Sequence, residues 1–219
     1  MRAQKKLTGP RLRADLCSLN AQLKYERDAH SRQYVLGMGR RSGFEHLTCY
    51  CGATGRHLVR HTDRAPDSVC LPKAQLMRAK QRRERIIFHH NHPQGLSLSV
   101  VDVRHLVERP GLLEVFAHGH DGSWYWATSR RVRDGLDMVS HGEKAFIKAA
   151  KFLRRQGIVF KEELAPHLFN LALDHADIIR YKYGLSESKA ADVATVPKES
   201  ELWLLDSVKS AIQKERQQK

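Results

Sequence analysis

Apolar residues recur at near-helical spacing in ADLCSLNAQLKYERDA, residues 14–29, and the pattern predicts a helix. FEHLTCYC, residues 44–51, alternates instead and reads as a strand, followed by a turn at GATG and a second short strand around HLVRH. Those two segments make a hairpin. Pro72 then opens LPKAQLMRAKQRRER, whose good helix formers predict a helix started by proline. IIFHHNH, residues 86–92, begins with β-branched and aromatic side chains and predicts a buried strand running into three histidines. Pro93 and Gly95 stop it. Ser99 stands at the cap position of a helix over VVDVRHLVER, and LLEVFAHG and SWYWAT predict two further strands joined by a turn at HDGS. A sheet with a crossover helix between strands fits this order.

Beyond about Ser129 the strand signal stops. EKAFIKAAKFLRRQ, ELAPHLFNLALDHADIIRYKY and ESELWLLDSVKSAIQKER each carry helical spacing, and GLSESKAADVATVPKES, residues 184–200, reads as a linker before the last of them. The expected organisation has three parts: a basic segment with one helix at 1–39, an α/β (α+β) body of mixed sheet flanked by helices at 40–130, and a helical extension at 131–219. The last helix carries Trp203 and reads as an interaction module for the core or a helical partner. No internal repeat is present.

At 219 residues the chain is long enough to bury a real core. Its formal net charge of +14 gathers in the N-terminal part, above all in MRAQKKLTGPRLR and KAQLMRAKQRRER. Such charge favours anionic partners, nucleic acid or an acidic protein surface. With no zinc finger, helix-turn-helix or aromatic-interleaved basic motif, nucleic-acid binding is the lesser reading. No run approaches the roughly 18 apolar residues of a membrane span, and the start lacks the apolar centre of a secretory signal, so a cytoplasmic location is expected, with non-classical delivery to another cell as the alternative. Cys17, Cys49, Cys51 and Cys70 are irregularly spaced. They suit buried thiols better than a disulfide framework or a zinc ribbon.

The stretch that carries chemistry is HHNHPQGLSLSVVD, residues 89–102. Histidines two apart at a strand end point the same way, so His90 and His92 can present two imidazole nitrogens to one ion. Asp102, on the following helix, can close a third corner. Two neutral nitrogens and one carboxylate leave a fourth tetrahedral position for water, whose pKa zinc lowers towards roughly 7.

His90, Asn91, His92 and Pro93, followed by Ser99 and Asp102, resemble the JAB/MPN (JAMM) metalloprotease family, whose motif is a distant glutamate, then His-x-His-Pro, then Ser-x-x-Asp. The resemblance covers roughly residues 40–130 and implies a JAB/MPN-like fold for that span. It implies that His90, His92 and Asp102 ligate Zn2+ and that Ser99 assists at the water or the oxyanion. The upstream glutamate is then Glu45, in GFEHLTCY, acting as general base; Glu84 is too close along the chain and Glu26 lies on the predicted first helix. Between His92 and Asp102 stand nine residues, Pro93–Val101, one fewer than in the common form of the family. HNHPQG is also similar to the bacterial branch that includes RadC-like proteins and the JAB domains of phage and toxin-like proteins.

What the family implies is a deubiquitinase-like zinc isopeptidase or peptidase acting on ubiquitin or ubiquitin-like conjugates, its substrate tail held at a strand edge. The RadC-like branch implies the alternative, a DNA-associated protein binding nucleic acid through its basic first half. The remaining histidines are expected elsewhere. His89 faces away from His90 by strand alternation and suits the core or a supporting role. His118 and His120 read as turn or substrate-rim residues, and His167 and His175 as packing on one helical face.

Overall fold

The computed structural model describes residues 10–130 and 132–218, with side chains from Ala21 onward. The start of the basic N-terminal segment and the Cys17 thiol therefore lie outside the described part. Six strands form one mixed sheet in the order β2-β1-β3-β4-β5-β6. These are β1 (Leu47–Cys51), β2 (His57–His61), β3 (Ile86–His92), β4 (Leu112–Gly119), β5 (Trp124–Ser129) and β6 (Ile179–Gly184). Only β3 and β4 run parallel. A parallel pair needs a crossover, supplied here by α3 (Val100–Glu108). Every residue of β3 is buried, which explains its apolar start and leaves its histidines inside the molecule.

The register assigns the two faces. Leu47 pairs with His90, Cys49 with Phe88, Phe88 with Val115, His90 with Ala117 and Ala117 with Tyr125, so these side chains share one face. That face packs on α3, α4 (Gly135–Arg155) and α5 (Ala165–His175) and holds the hydrophobic core. The other face carries Thr48, His89, Asn91, Phe116 and His118, and is crossed by α1 (Pro10–Ser42). A Cβ at Gly39 would stand 2.3 Å from the Asn91 side-chain nitrogen, so any other residue would force Asn91 or the helix to shift.

Three sequence expectations are corrected. The segment read as one helix through residue 183 stops at His175; Asp177 takes positive φ and residues 179–184 form β6, antiparallel to β5. The helix begun at Pro72 is α2 (Lys73–Ala79), much shorter than its helix formers suggest: Gly111 N–H takes the Ala79 carbonyl at 2.8 Å, and the chain then turns through positive φ at Arg85 into β3. The segment read as a linker contains α6 (Glu187–Ala194), capped by Ser186, ahead of α7 (Lys198–Gln217).

The core runs continuously across Ser129. Leu168, Leu173, Ile178, Ile179, Val208 and Ile212 are fully buried in the same cluster as Leu47, Phe88 and Val115. Each such side chain contributes about 1.5–3 kcal/mol over leaving it exposed. The last helix docks on α4 and α5, with Trp203 beside Phe152 at the surface. No helix among the described residues is long and apolar enough to cross a membrane.

Candidate metal centre

His90 and His92 point from the core face of β3 with their Nε2 atoms 2.8 Å apart. The Asp102 Oδ2 atom lies 3.6 Å from His90 Nε2, and ligand atoms of His90, His92 and Asp102 all fall within 4.8 Å of one another. Among the described residues this is the one such His, Cys or carboxylate cluster. The shorter His-to-Asp loop still delivers the aspartate to the histidines.

Each side chain is aimed by local structure. His92-Pro93-Gln94-Gly95 is a tight turn closed by Gly95 N–H donating to the His92 carbonyl at 2.9 Å, with proline and glycine where such turns favour them. Gly95 has φ of 67°, and a Cβ there would meet the Asp121 carboxylate at 2.6 Å. The turn brings the Leu96 carbonyl back to His92, whose Nδ1–H donates to it at 2.8 Å. That bond places the ring's single proton on Nδ1 and leaves Nε2 as a lone pair, the form a metal ligand needs.

Asp102 is set by a capping box. Ser99 N–H and the Ser99 hydroxyl both donate to Asp102 Oδ2, at 2.8 and 2.7 Å, and Asp102 N–H donates back to Ser99 Oγ at 3.1 Å. In this arrangement the Ser99 hydroxyl donates to the carboxylate and so positions Asp102. Ser99→Ala is expected to weaken metal affinity about 10–100-fold, as changes behind a ligand typically do, and to cost about 1 kcal/mol of stability as a lost cap. Chelator competition and urea unfolding read the two effects separately.

Glu45 comes to the same place by register. Leu47 pairs with His90 and Asn91 N–H bonds the His46 carbonyl, so two residues further on Glu45 stands opposite His92. Directly opposed residues of an antiparallel pair share a face. Its backbone is fixed on both sides, with N–H donating to the Ala65 carbonyl at 2.8 Å and its own carbonyl accepting from the Thr62 hydroxyl at 2.7 Å. Asn91, the residue between the two ligands, accepts from His46 N–H at 2.7 Å and donates to the Phe44 carbonyl at 3.2 Å. The Glu45 carboxylate ends 3.9 Å from His92 Nε2.

Electrostatics separate the roles. Burial would push the Asp102 carboxyl up, but His90, His92 and the Ser99 hydroxyl hold it well below the usual carboxylate range. Burial opposes charge on His90, yet Asp102 and Glu45 raise it above an ordinary imidazole. His92 is pushed down to about 4 by burial and by neighbouring His90. Burial pushes Glu45 up to about 7; His90 opposes that rise, and Asp102 and Asp67 add to it. The pull of Asp102 and Glu45 makes the point between these groups favourable to positive charge.

A divalent cation fits that point. Two imidazole nitrogens and a carboxylate oxygen are a donor set suited to zinc. Two tetrahedral nitrogen ligands would stand roughly 3.3 Å apart, a small opening from the present 2.8 Å. The three groups open on a cleft of about 360 Å³, whose wall includes Glu45, Asp67, Cys70, Leu96, Val101 and Pro166. Cys70 is exposed and Cys51 half-buried, so of the three described cysteines only Cys49 is the buried thiol expected.

Sequence reasoning missed the support contributed by the C-terminal segment. The Tyr181 hydroxyl bridges Ser97 Oγ at 2.7 Å and His167 Nδ1 at 2.9 Å, and the Asn170 amide donates to Ser97 Oγ at 3.0 Å and to the Leu98 carbonyl at 2.8 Å. Tyr125 donates to the Gly95 carbonyl at 3.1 Å. Residues 95–98, between the two ligand-bearing stretches, are therefore clamped from β5, β6 and α5. The signal for β6 was present in Ile179-Arg180-Tyr181-Lys182-Tyr183, which alternates strictly. Tyr181→Phe would strand Ser97 and His167 polar atoms in the interior. About 2 kcal/mol of destabilisation is expected in urea unfolding, where an unchanged midpoint would contradict the clamp.

His120 lies in the turn after β4, as expected, whereas His118 is within β4 on the face opposite His90. His118 bonds His89, and His120 meets Asn91 at 3.1 Å. His89 does face away from His90, towards Asp28. His167 joins the clamp, while His175 is exposed and pairs with Asp206. Compared with protein-family models, with curated proteins and with solved structures, the chain finds no match in any of the three.

Proposed function

We propose that this protein is a metal-dependent hydrolase that cleaves amide bonds, with zinc as the metal and an isopeptide between a ubiquitin-like C-terminus and a lysine as the substrate bond. The observation that carries the reading is the Glu45 carboxylate, 3.9 Å from His92 and facing the same cleft as His90 and Asp102. His90, His92 and Asp102 would hold the cation, which would supply Lewis-acid polarisation of a carbonyl and a lowered water pKa of about 7.

The chain's own groups do the rest. Glu45, poised near neutrality by burial, takes a proton from the attacking water and returns it to the leaving amine. Ser99 and the Leu96 carbonyl keep Asp102 and His92 in place through the cycle. Leu96, Val101 and Pro166 give the cleft an apolar wall that suits the side chains and stem of an extended tail. At one edge of the sheet, next to the strand that follows Glu45, β2 offers an open backbone ladder for adding such a tail as a further strand. The substrate class is supported by the His-x-His-Pro and Ser-x-x-Asp motif.

The test is cleavage of a lysine-linked ubiquitin dimer by the full chain. Cleavage lost to a chelator and restored by zinc is the expected result. A zinc-loaded chain that leaves both the dimer and a fluorogenic ubiquitin-amide substrate intact would overturn the proposal.

A further inference from the structure

The cleft beside the candidate metal centre differs in charge from the rest of the chain. Lysine and arginine outnumber aspartate and glutamate 38 to 24 in the sequence. Yet the described residues that line the cleft include three carboxylates, Glu45, Asp67 and Asp102, and no lysine or arginine. Two of the three have work in the proposed reaction, Asp102 as a ligand and Glu45 as the proton carrier. Asp67 has none. It is exposed, and among the described residues it has no hydrogen-bond or ion-pair partner.

The loop that carries Asp67 is held at both ends. Near its start the Ala65 carbonyl accepts from Glu45 N–H at 2.8 Å and the Thr62 hydroxyl donates to the Glu45 carbonyl at 2.7 Å. Near its end Cys70 N–H donates to the Asp63 carboxylate at 2.6 Å, and Val69 packs against the core. Asp63 also bonds His61 at 2.8 Å, so its carboxylate is engaged within the loop and its flank. Asp67 is the carboxylate that the loop leaves free, with Pro66, Val69 and Pro166 giving apolar surface in the same cleft. Long cationic side chains lay their aliphatic stems along such surface and keep the charged head at its edge. Because Ala65, two residues before Asp67, is bonded to the Glu45 backbone, Asp67 lies on the Glu45 side of the cleft. In the proposed reaction Glu45 returns a proton to the leaving amine, so the departing segment passes beside Asp67.

We propose that Asp67 is a specificity-determining residue that selects a lysine or arginine next to the scissile amide, on the segment that carries the leaving amine. The inference rests on the reading of this cleft as an amide-hydrolase site and adds to it the class of sequence around the target lysine. A cationic neighbour meets the one uncommitted charge of the cleft, whereas an acidic neighbour meets a like charge. The chain as a whole works in the opposite sense, since a net charge of +14 draws anionic peptides to its surface. A preference for cations is therefore a local signature of Asp67.

Fluorescence anisotropy of the full chain, supplied with zinc, with three labelled peptides tests this. Each peptide carries one lysine with a free ε-amine, as the proposed cleavage would release it, followed by arginine, glutamine or glutamate in an otherwise neutral sequence. The arginine peptide is expected to bind about fivefold more tightly than the glutamine peptide, the upper range for an exposed ion pair, and the glutamate peptide most weakly. Asp67→Asn is expected to bring the arginine and glutamine peptides to equal affinity, and Asp67→Glu to keep them apart. Equal affinity of those two for the native chain, tightest binding by the glutamate peptide, a preference that survives Asp67→Asn, or no saturable binding of the arginine peptide up to millimolar concentration would each overturn the proposal. Binding also separates this inference from the reaction. A chain that prefers the arginine peptide but leaves the lysine-linked dimer intact keeps the selection and loses the hydrolase reading, and cleavage of the dimer with no preference among the peptides does the reverse.

Discussion

Glu45→Gln is expected to keep the metal and lose the reaction. Glutamine has nearly the same shape, so the cleft wall and the ligand trio are undisturbed, and the Thr62 and Ala65 bonds that fix residue 45 involve only its backbone. What disappears is a group able to accept a proton. General-base catalysis by a positioned side chain supplies about 10²–10⁴-fold, and a loss of that size is expected in the rate of isopeptide cleavage. Stability should not fall. Burial already disfavours the charged carboxylate at this position, so a neutral amide removes a strained group and not a stabilising one. Rate and metal content measured on the same preparation decide the matter. A variant that still cleaves at near the native rate would remove Glu45 from the mechanism, whereas one that has lost its metal would make Glu45 a ligand.

Asp102→Ala should have the largest effect on the metal. The carboxylate is the sole anion among the three ligand groups, it is buried, and its pull raises His90 above an ordinary imidazole. Removing it takes away a ligand and the charge that makes the point favourable to a cation. The affinity loss should exceed the 10–100-fold typical of changes behind the ligands, and so exceed that of Ser99→Ala. Competition with a chromophoric chelator gives both values on one scale. Equal losses in the two variants would mean that Asp102 serves only as the helix cap.

The comparison of Asp102 with Ser99 also shows how far a sequence can be read. His90, His92 and Asp102 were legible because strand alternation, a Pro-Gly turn and a cap at Ser99 are all local, and local rules place a strand end beside a helix start. Glu45 was legible only through the motif, since nothing local reveals a pairing between residues 45 and 92. The cap itself was legible at Ser99; that its hydroxyl donates back to the Asp102 carboxylate depends on side-chain geometry that no spacing reveals.

The C-terminal part was misread for a related reason. Ala165–His175 is helical, and the helical reading was carried through Asp177 into a segment whose alternation of Ile179, Tyr181 and Tyr183 with Arg180 and Lys182 already indicated a strand. Residues beyond Ser129 share the core of the sheet, and Tyr181 and Asn170 reach back across it to hold Ser97 and the Leu98 carbonyl. Sheet edges are completed by whichever segment docks there, and chain order says little about which one does.

The central claim is that His90, His92 and Asp102 hold a metal ion, and elemental mass spectrometry on the purified full chain beside His92→Ala tests it most directly. Close to one zinc per native chain, falling to background in the variant, is the expected result. Native protein that remains metal-free after zinc is supplied, or a His92→Ala chain carrying as much zinc as the native one, would contradict it.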